Sequence, residues 1–82
     1  MTSGATAAIR IIPVGILRSY SPAQEPVLLQ GWAGRPVRDA LQHLGIPSAL
    51  VGAVLVDGQL VQKDHAMQDG EEIKLIPLIG GG

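Results

Sequence analysis

The sequence predicts an α+β domain, a mixed sheet of four to five strands packed on one main helix, and three observations predict it. Five short stretches have strand character: apolar residues alternate with polar ones, or run continuously over a few positions. One stretch, residues 36–44, changes to a helical period, with Val37, Ala40, Leu41 and Leu44 at i, i+3, i+4 and i+7. Between two of the strand candidates stands Asp57-Gly58, the dipeptide of a two-residue type I′ hairpin.

Taken in order, residues 1–7 read as a flexible lead-in. The first strand covers residues 8–15, where Ile9 and Ile11 alternate with Arg10. Pro13 has no N–H for a ladder, so it belongs at a bulge or at the strand's end. Ser19, Ser21 and Pro22 mark a turn within an extended hairpin connection, residues 16–26. The second strand, residues 26–32, places Val27 and Leu29 on one face. The helix then starts with Pro36 in its first turn, where a missing N–H costs nothing. Asp39 lies near the positive end of the helix dipole, and Gly45 suits the position just past its last turn. Its N-cap is weak, because Gly34 and Arg35 stand where Ser, Thr, Asp or Asn is preferred. A helix this short is marginal alone and must be held against a sheet.

Residues 51–56 are apolar on both faces, which places the third strand in the sheet interior. Residues 59–62 return from the hairpin, and Asp69-Gly70 marks another turn. The last strand, residues 72–79, turns Ile73 and Leu75 toward the helix and Ile76 and Leu78 toward the opposite face. Pro77 ends its ladder.

Hairpin, helix, then three strands is the order of a β-grasp domain, here spanning residues 8–79. The first and last strands lie side by side and parallel in the middle, and the last strand projects residues 80–82, all glycine, as a flexible tail. A terminal glycine has no Cβ, so it can thread a narrow channel and bring its α-carboxylate to a second enzyme's active site. The glycines follow a hydrophobic segment with no spacer, which makes the Gly82 carboxylate the candidate working group.

Composition narrows the function. Eighty-two residues form one small domain, which buries roughly 60% of its unfolded surface. Trp32 and Tyr20 are the only aromatic residues, so the core must be aliphatic. Net charge is −1, divided as +2 over residues 1–51 and −3 over residues 52–82. Without a basic stripe, nucleic acid is not an expected ligand, and the acidic half beside the tail suits a basic partner. The chain has no cysteine, which excludes disulfides, thiolate nucleophiles and zinc–thiolate sites. The apolar run at residues 49–56 is too short to span a bilayer. Residues 1–8 lack the basic region of a secretory signal. A cytoplasmic protein with no membrane partner is expected.

The sequence of Val54 to Gly58, then that of Asp69 to Ile73, then Pro77 and finally Gly81-Gly82 resembles the MoaD/ThiS sulfur-carrier proteins. These are ubiquitin-like β-grasp proteins of molybdopterin and thiamine biosynthesis. Residues 36–44 are similar to that family's helix, and the likeness covers residues 8–82. The resemblance implies a cycle. A ubiquitin-activating-type adenylyltransferase uses ATP to adenylate the last carboxylate, a sulfur donor converts the adenylate to a thiocarboxylate, and a synthase subunit accepts the sulfur. Carried over by position, Gly82 would bear the adenylate and then the sulfur, and Gly81 would supply the slim approach. The carrier is then no enzyme but a co-substrate, or the small subunit of a synthase complex, and it holds no cofactor or metal. Length and the 16–26 connection favour the molybdopterin synthase small subunit. Three features depart from the pattern: a third glycine at Gly80, the weak N-cap, and Met67 where Leu is frequent. The alternatives are a ubiquitin-like modifier conjugated to proteins through Gly82, and a non-conjugated β-grasp interaction module.

Docking must offset the cost of ordering the tail, and Ile76 and Leu78, with Leu60 and Gly80, are the candidate partner-binding residues. His65 lies in a polar loop near Asp64 and Asp69, but one histidine among loose acids gives no metal-ligand spacing. Asp57, Glu71 and Glu72 read as turn residues and a solvated edge rather than as acid/base carboxylates. Trp32 either caps the core or meets a partner.

Overall fold

The computed structural model describes residues 8–78. Five strands and one helix make up the domain: β1 (Ile9–Pro13), β2 (Val27–Leu29), α1 (Val37–Leu44), β3 (Val51–Val56), β4 (Gln59–Val61) and β5 (Glu72–Pro77). The strands form one mixed sheet in the order β2-β1-β5-β3-β4. β1 and β5 run parallel in the middle, with Ile11 opposite Ile73 and Pro13 opposite Leu75. The other three pairings are antiparallel. The β-grasp topology expected from the element order is the topology observed.

Alternation along each strand sorts the sheet into two faces. Ile9, Ile11, Leu29, Val54, Val56, Ile73 and Leu75 are buried in one cluster with Val37, Ala40 and Leu41 of α1. The core is aliphatic, and Trp32 and Tyr20 pack only against its margin. Pro13 closes β1, and Gly15, at φ +59°, starts a 3₁₀ helix (Gly15–Tyr20) that buries Leu17. A second short 3₁₀ turn (Pro22–Gln24) follows. The long hairpin connection expected here is compact in form: Leu17 folds back into the core and the Ser21 hydroxyl donates to the Glu25 carbonyl.

The Asp57-Gly58 turn has positive φ at both residues, +49° and +86°, as a type I′ hairpin requires. Asp57 also holds the start of β5. Its N–H donates to the Glu72 carbonyl at 2.9 Å, and its Oδ1 accepts the Glu72 N–H at 3.1 Å. At the other end of α1, Gly45 takes the left-handed conformation. Its N–H bonds to Gln42 O at 3.1 Å and the Ile46 N–H to Leu41 O at 2.9 Å, the two bonds of a Schellman stop.

The start of α1 differs from the expectation. Pro36 is the extended residue before the helix, at φ −74° and ψ 155°, rather than part of its first turn. No side chain caps the helix. The loop between β4 and β5 does so instead: Val37 N–H donates to His65 O and Arg38 N–H to Lys63 O, each at 3.0 Å. Two more bonds fix the same loop, Gly34 N–H to Met67 O at 2.7 Å and Met67 N–H to Arg35 O at 2.8 Å, and the Met67 side chain is fully buried. Glu71 braces it from the far side. His65 Nε2 lies 3.1 and 3.3 Å from its two carboxylate oxygens, and Gln68 N–H donates to Oε1 at 2.9 Å. Glu71 is only 17% exposed, so it is a brace for the capping loop and not the solvated edge expected.

Two stability predictions follow from this packing. Leu75→Ala, which opens a cavity in the middle of the core, is expected to lower the free energy of unfolding by roughly 2–5 kcal/mol in urea titrations. Glu71→Ala removes the acceptor of the exposed Gln68 N–H and the partner of the part-buried His65 ring, and is expected to cost about 0.5–1.5 kcal/mol. Hydrogen exchange should accelerate first at the Val37 and Arg38 amides, whose acceptors lie in the loop that Glu71 holds.

Candidate functional site: the end of the central strand and the open sheet face

β5 is the middle strand, and the chain leaves the sheet at its end. Pro77 pairs with Val51, and the Leu78 N–H then donates to the Leu50 carbonyl at 2.7 Å. The ladder therefore continues one residue past the proline expected to end it. Two glycines flank this exit. Gly15, after β1, lies against Pro77, whose Cγ would be 3.3 Å from an added Cβ. Gly52, in β3, lies against Leu78, whose Cα would be 2.9 Å from one. β3 is irregular between Val51 and Ala53. This bulge lets Val51 and Val54 both point into the core although they are three residues apart.

The face of the sheet away from α1 is open. Across it run Ile12, Lys74, Leu55 and Leu60, paired in register from β1 to β4. Ile76 stands opposite Ala53 on the same face and is half-buried. Leu60 is 72% exposed and Leu78, which follows β5, is 61% exposed. Leu28 is also exposed, beside Arg10, which reaches Glu72 at 3.5 Å. The three apolar candidates thus divide: Leu60 and Leu78 present most of their side chains to solvent, and Ile76 presents part. Beside Leu60, where β4 ends and β3 continues, an open groove of about 480 Å³ is lined by residues 52–54 and 60–63. Gly80, Gly81 and Gly82 lie outside the described residues.

Sequence reasoning missed Gly52 and Gly15. A signal existed at Gly52, because a glycine inside an apolar strand marks a bulge or a close backbone approach. The remaining polar groups assemble elsewhere. On the helix side, the Arg35 guanidinium stacks 3.8 Å from the Trp32 ring centroid and its Nε lies 3.3 Å from Asp39 Oδ2, with the His43 ring edge-on to Trp32 at 5.0 Å. Trp32 is thus half-buried at the core margin beneath Arg35. His65 meets Glu71 rather than Asp64 or Asp69. Among the described residues no three His, Asp or Glu side chains converge as metal ligands, and no helix is long and apolar enough to cross a membrane.

A family model described as the ThiS family matches residues 24–82, most of the domain and its final glycines. The chain belongs to the ThiS family. Solved structures agree on the fold. The solution structure of the Haloferax volcanii HVO 2177 protein superposes with a TM-score of 0.71 at 20% identity, over 94% of this chain and 88% of that one. The solution structure of Urm1 from Trypanosoma brucei gives a TM-score of 0.71 at 18% identity, over 100% of both chains. Curated protein sequences give no significant match. The domain is a ubiquitin-like β-grasp, and with the family it supports a ubiquitin-like sulfur carrier. Small carriers of this family are not themselves catalysts, and the family implies an activating enzyme and sulfur-transfer enzymes as partners.

Because Leu60 packs against little, Leu60→Ser is expected to change the free energy of unfolding by no more than about 0.5 kcal/mol. Calorimetry checks this, and a larger loss would show that the side chain belongs to the fold rather than to the open face.

Proposed function

We propose that this protein carries sulfur on its main-chain terminus: the Gly82 carboxylate is adenylated by a ubiquitin-activating-type enzyme and converted to a thiocarboxylate that serves molybdopterin or thiamine biosynthesis. The observation that carries this reading is the ThiS-family match, which extends through Gly81 and Gly82. The position of β5 supports it, since the middle strand ends beside an open face that carries Leu60, Ile76 and Leu78, a few residues before the last glycine.

A carboxylate is a poor acyl donor because its oxygen leaves badly. In the proposed cycle a Gly82 carboxylate oxygen attacks the α-phosphorus of ATP, and pyrophosphate leaves. Hydrosulfide, or its equivalent from a donor, then attacks the carbonyl carbon of the acyl-adenylate. AMP leaves, one proton is lost, and the thiocarboxylate remains. ATP, magnesium and positive charge belong to the activating enzyme. The carrier supplies the carboxylate, and Gly81 keeps its approach narrow. Ordering the tail costs roughly 1–2 kcal/mol per residue and more for glycine. Apolar contacts made by Leu60, Leu78, Ile76 and Gly80 offset that cost at about 25 cal/mol per Å² removed from water.

Intact-mass spectrometry of protein isolated from its native cell is expected to show a fraction in which one oxygen is replaced by sulfur. Removal of Gly82 is expected to abolish that fraction while leaving the melting temperature unchanged. A ladder of isopeptide-linked conjugates with no thiocarboxylate would instead identify a protein modifier. Unaltered activity after addition of a residue beyond Gly82 would identify an interaction module.

A further inference from the structure

Most of the glycines in turns are required by their backbone conformation. Gly45, Gly58 and Gly70 all have φ between +76° and +87°. Gly52 is different. Its φ lies outside the left-handed region, so its backbone does not call for glycine on that ground, and what excludes a side chain is space. A Cβ there would lie 2.9 Å from Leu78 Cα and 3.2 Å from Leu78 N. Both are main-chain atoms, which cannot swing aside as the end of a flexible side chain can. At Gly31, Gly34, Gly45 and Gly58 an added Cβ meets nothing within 4 Å.

Relief must come from Leu78. On the β3 side, Val51 is buried in the core and Ala53 is paired with Ile76, so Gly52 is held from both neighbours. Within the described residues Leu78 has a paired neighbour on one side alone, Pro77 opposite Val51, and its own N–H bonds to Leu50 O. It is also the last described residue before the tail. We propose that Gly52 is a positioning residue for the tail: its missing side chain is the seat over which the Leu78 backbone crosses, and this seat sets the direction in which the Gly82 carboxylate is presented. The inference rests on the sulfur-carrier reading. Four residues span at most about 14 Å when extended, so a small change of direction at Leu78 moves the carboxylate by several ångströms. The glycines cannot correct this at its source, because Leu78 and Ile79 carry side chains that restrict their backbone angles before the glycines begin.

Gly52→Ala tests this with two readouts. In amide hydrogen exchange, Leu78 is expected to lose its protection while Ile73 and Leu75 keep theirs. In ATP–pyrophosphate exchange driven by the ubiquitin-activating-type adenylyltransferase of the same genome, kcat at saturating carrier is expected to fall roughly 10- to 100-fold, the pattern of a displaced reacting group; KM for the carrier rises only as far as the moved Leu78 side chain loses its docking contact. Gly58→Ala is the control: it strains the 57–58 turn but touches nothing near the tail, and its kcat should match wild type. Leu78→Pro removes the same N–H from the tail side without altering β3, and its kcat, read at saturating carrier so that the lost docking side chain does not count, is expected to fall likewise even if Gly52→Ala does not fold. Retained protection at Leu78 in a folded Gly52→Ala protein overturns the seat. Loss of that protection with unchanged kcat, or wild-type kcat in Leu78→Pro, overturns the positioning role. If wild-type protein supports no pyrophosphate exchange, the sulfur-carrier reading fails, and the hydrogen-exchange result still decides whether Gly52 seats Leu78.

Discussion

The bonds from the first α1 amides to the carbonyls of Lys63 and His65 hold this domain in its shape. A helix of eight residues cannot persist alone, and this one has no side-chain cap. Its first two N–H groups, at the positive end of the helix dipole, are satisfied because the loop before β5 crosses them. The same loop inserts Met67 into the core and then enters β5. One set of contacts therefore places the helix that covers the sheet and launches the strand that runs through its middle. The His65–Glu71 brace acts on that loop, so two partly buried polar side chains support a cap made of main chain.

Much of this was legible in the sequence because the deciding signals are local. Val37, Ala40 and Leu41 announce their helix by spacing alone, and all three are buried. Asp57-Gly58 announces its turn because few residues accept two successive positive φ angles. The parallel pairing of β1 with β5 followed from element order. What was not legible depends on groups distant in the chain. The helix cap comes from residues more than twenty positions downstream, so the missing N-cap residue reads as weakness until the loop is seen. Glu71 looks like a solvated acid because nothing in its neighbourhood reveals that His65 folds back onto it. The length of the 16–26 connection is legible, but how it folds is not, because the anchoring of Leu17 is a tertiary event.

The candidate site is a different case. Gly81 and Gly82 are conspicuous in the sequence, and the family match runs through them. The base of the tail is where geometry adds most. Leu60 and Leu78 could be named from strand alternation, but their exposure depends on an uncovered face, which periodicity alone does not establish. The ion pair on that face, Arg10 with Glu72 at 3.5 Å, is exposed and contributes little to stability. The open face is thus held in place by the backbone ladder beneath it, and its side chains are free to meet a partner without cost to the fold.

Strand alternation keeps the work of folding apart from the work of presentation. On β5, Ile73 and Leu75 face the core while Lys74 and Ile76 face outward; on β3, Val54 and Val56 face the core while Ala53 and Leu55 face outward. A change on one face leaves the other largely untouched, because successive side chains never share a side. The bulge at Gly52 is where this separation breaks down. It turns Val51 inward to fill the core, and by lacking a side chain it lets the Leu78 backbone cross on its way out. Folding and the proposed presentation of the tail meet at that residue, the only glycine in the described strands.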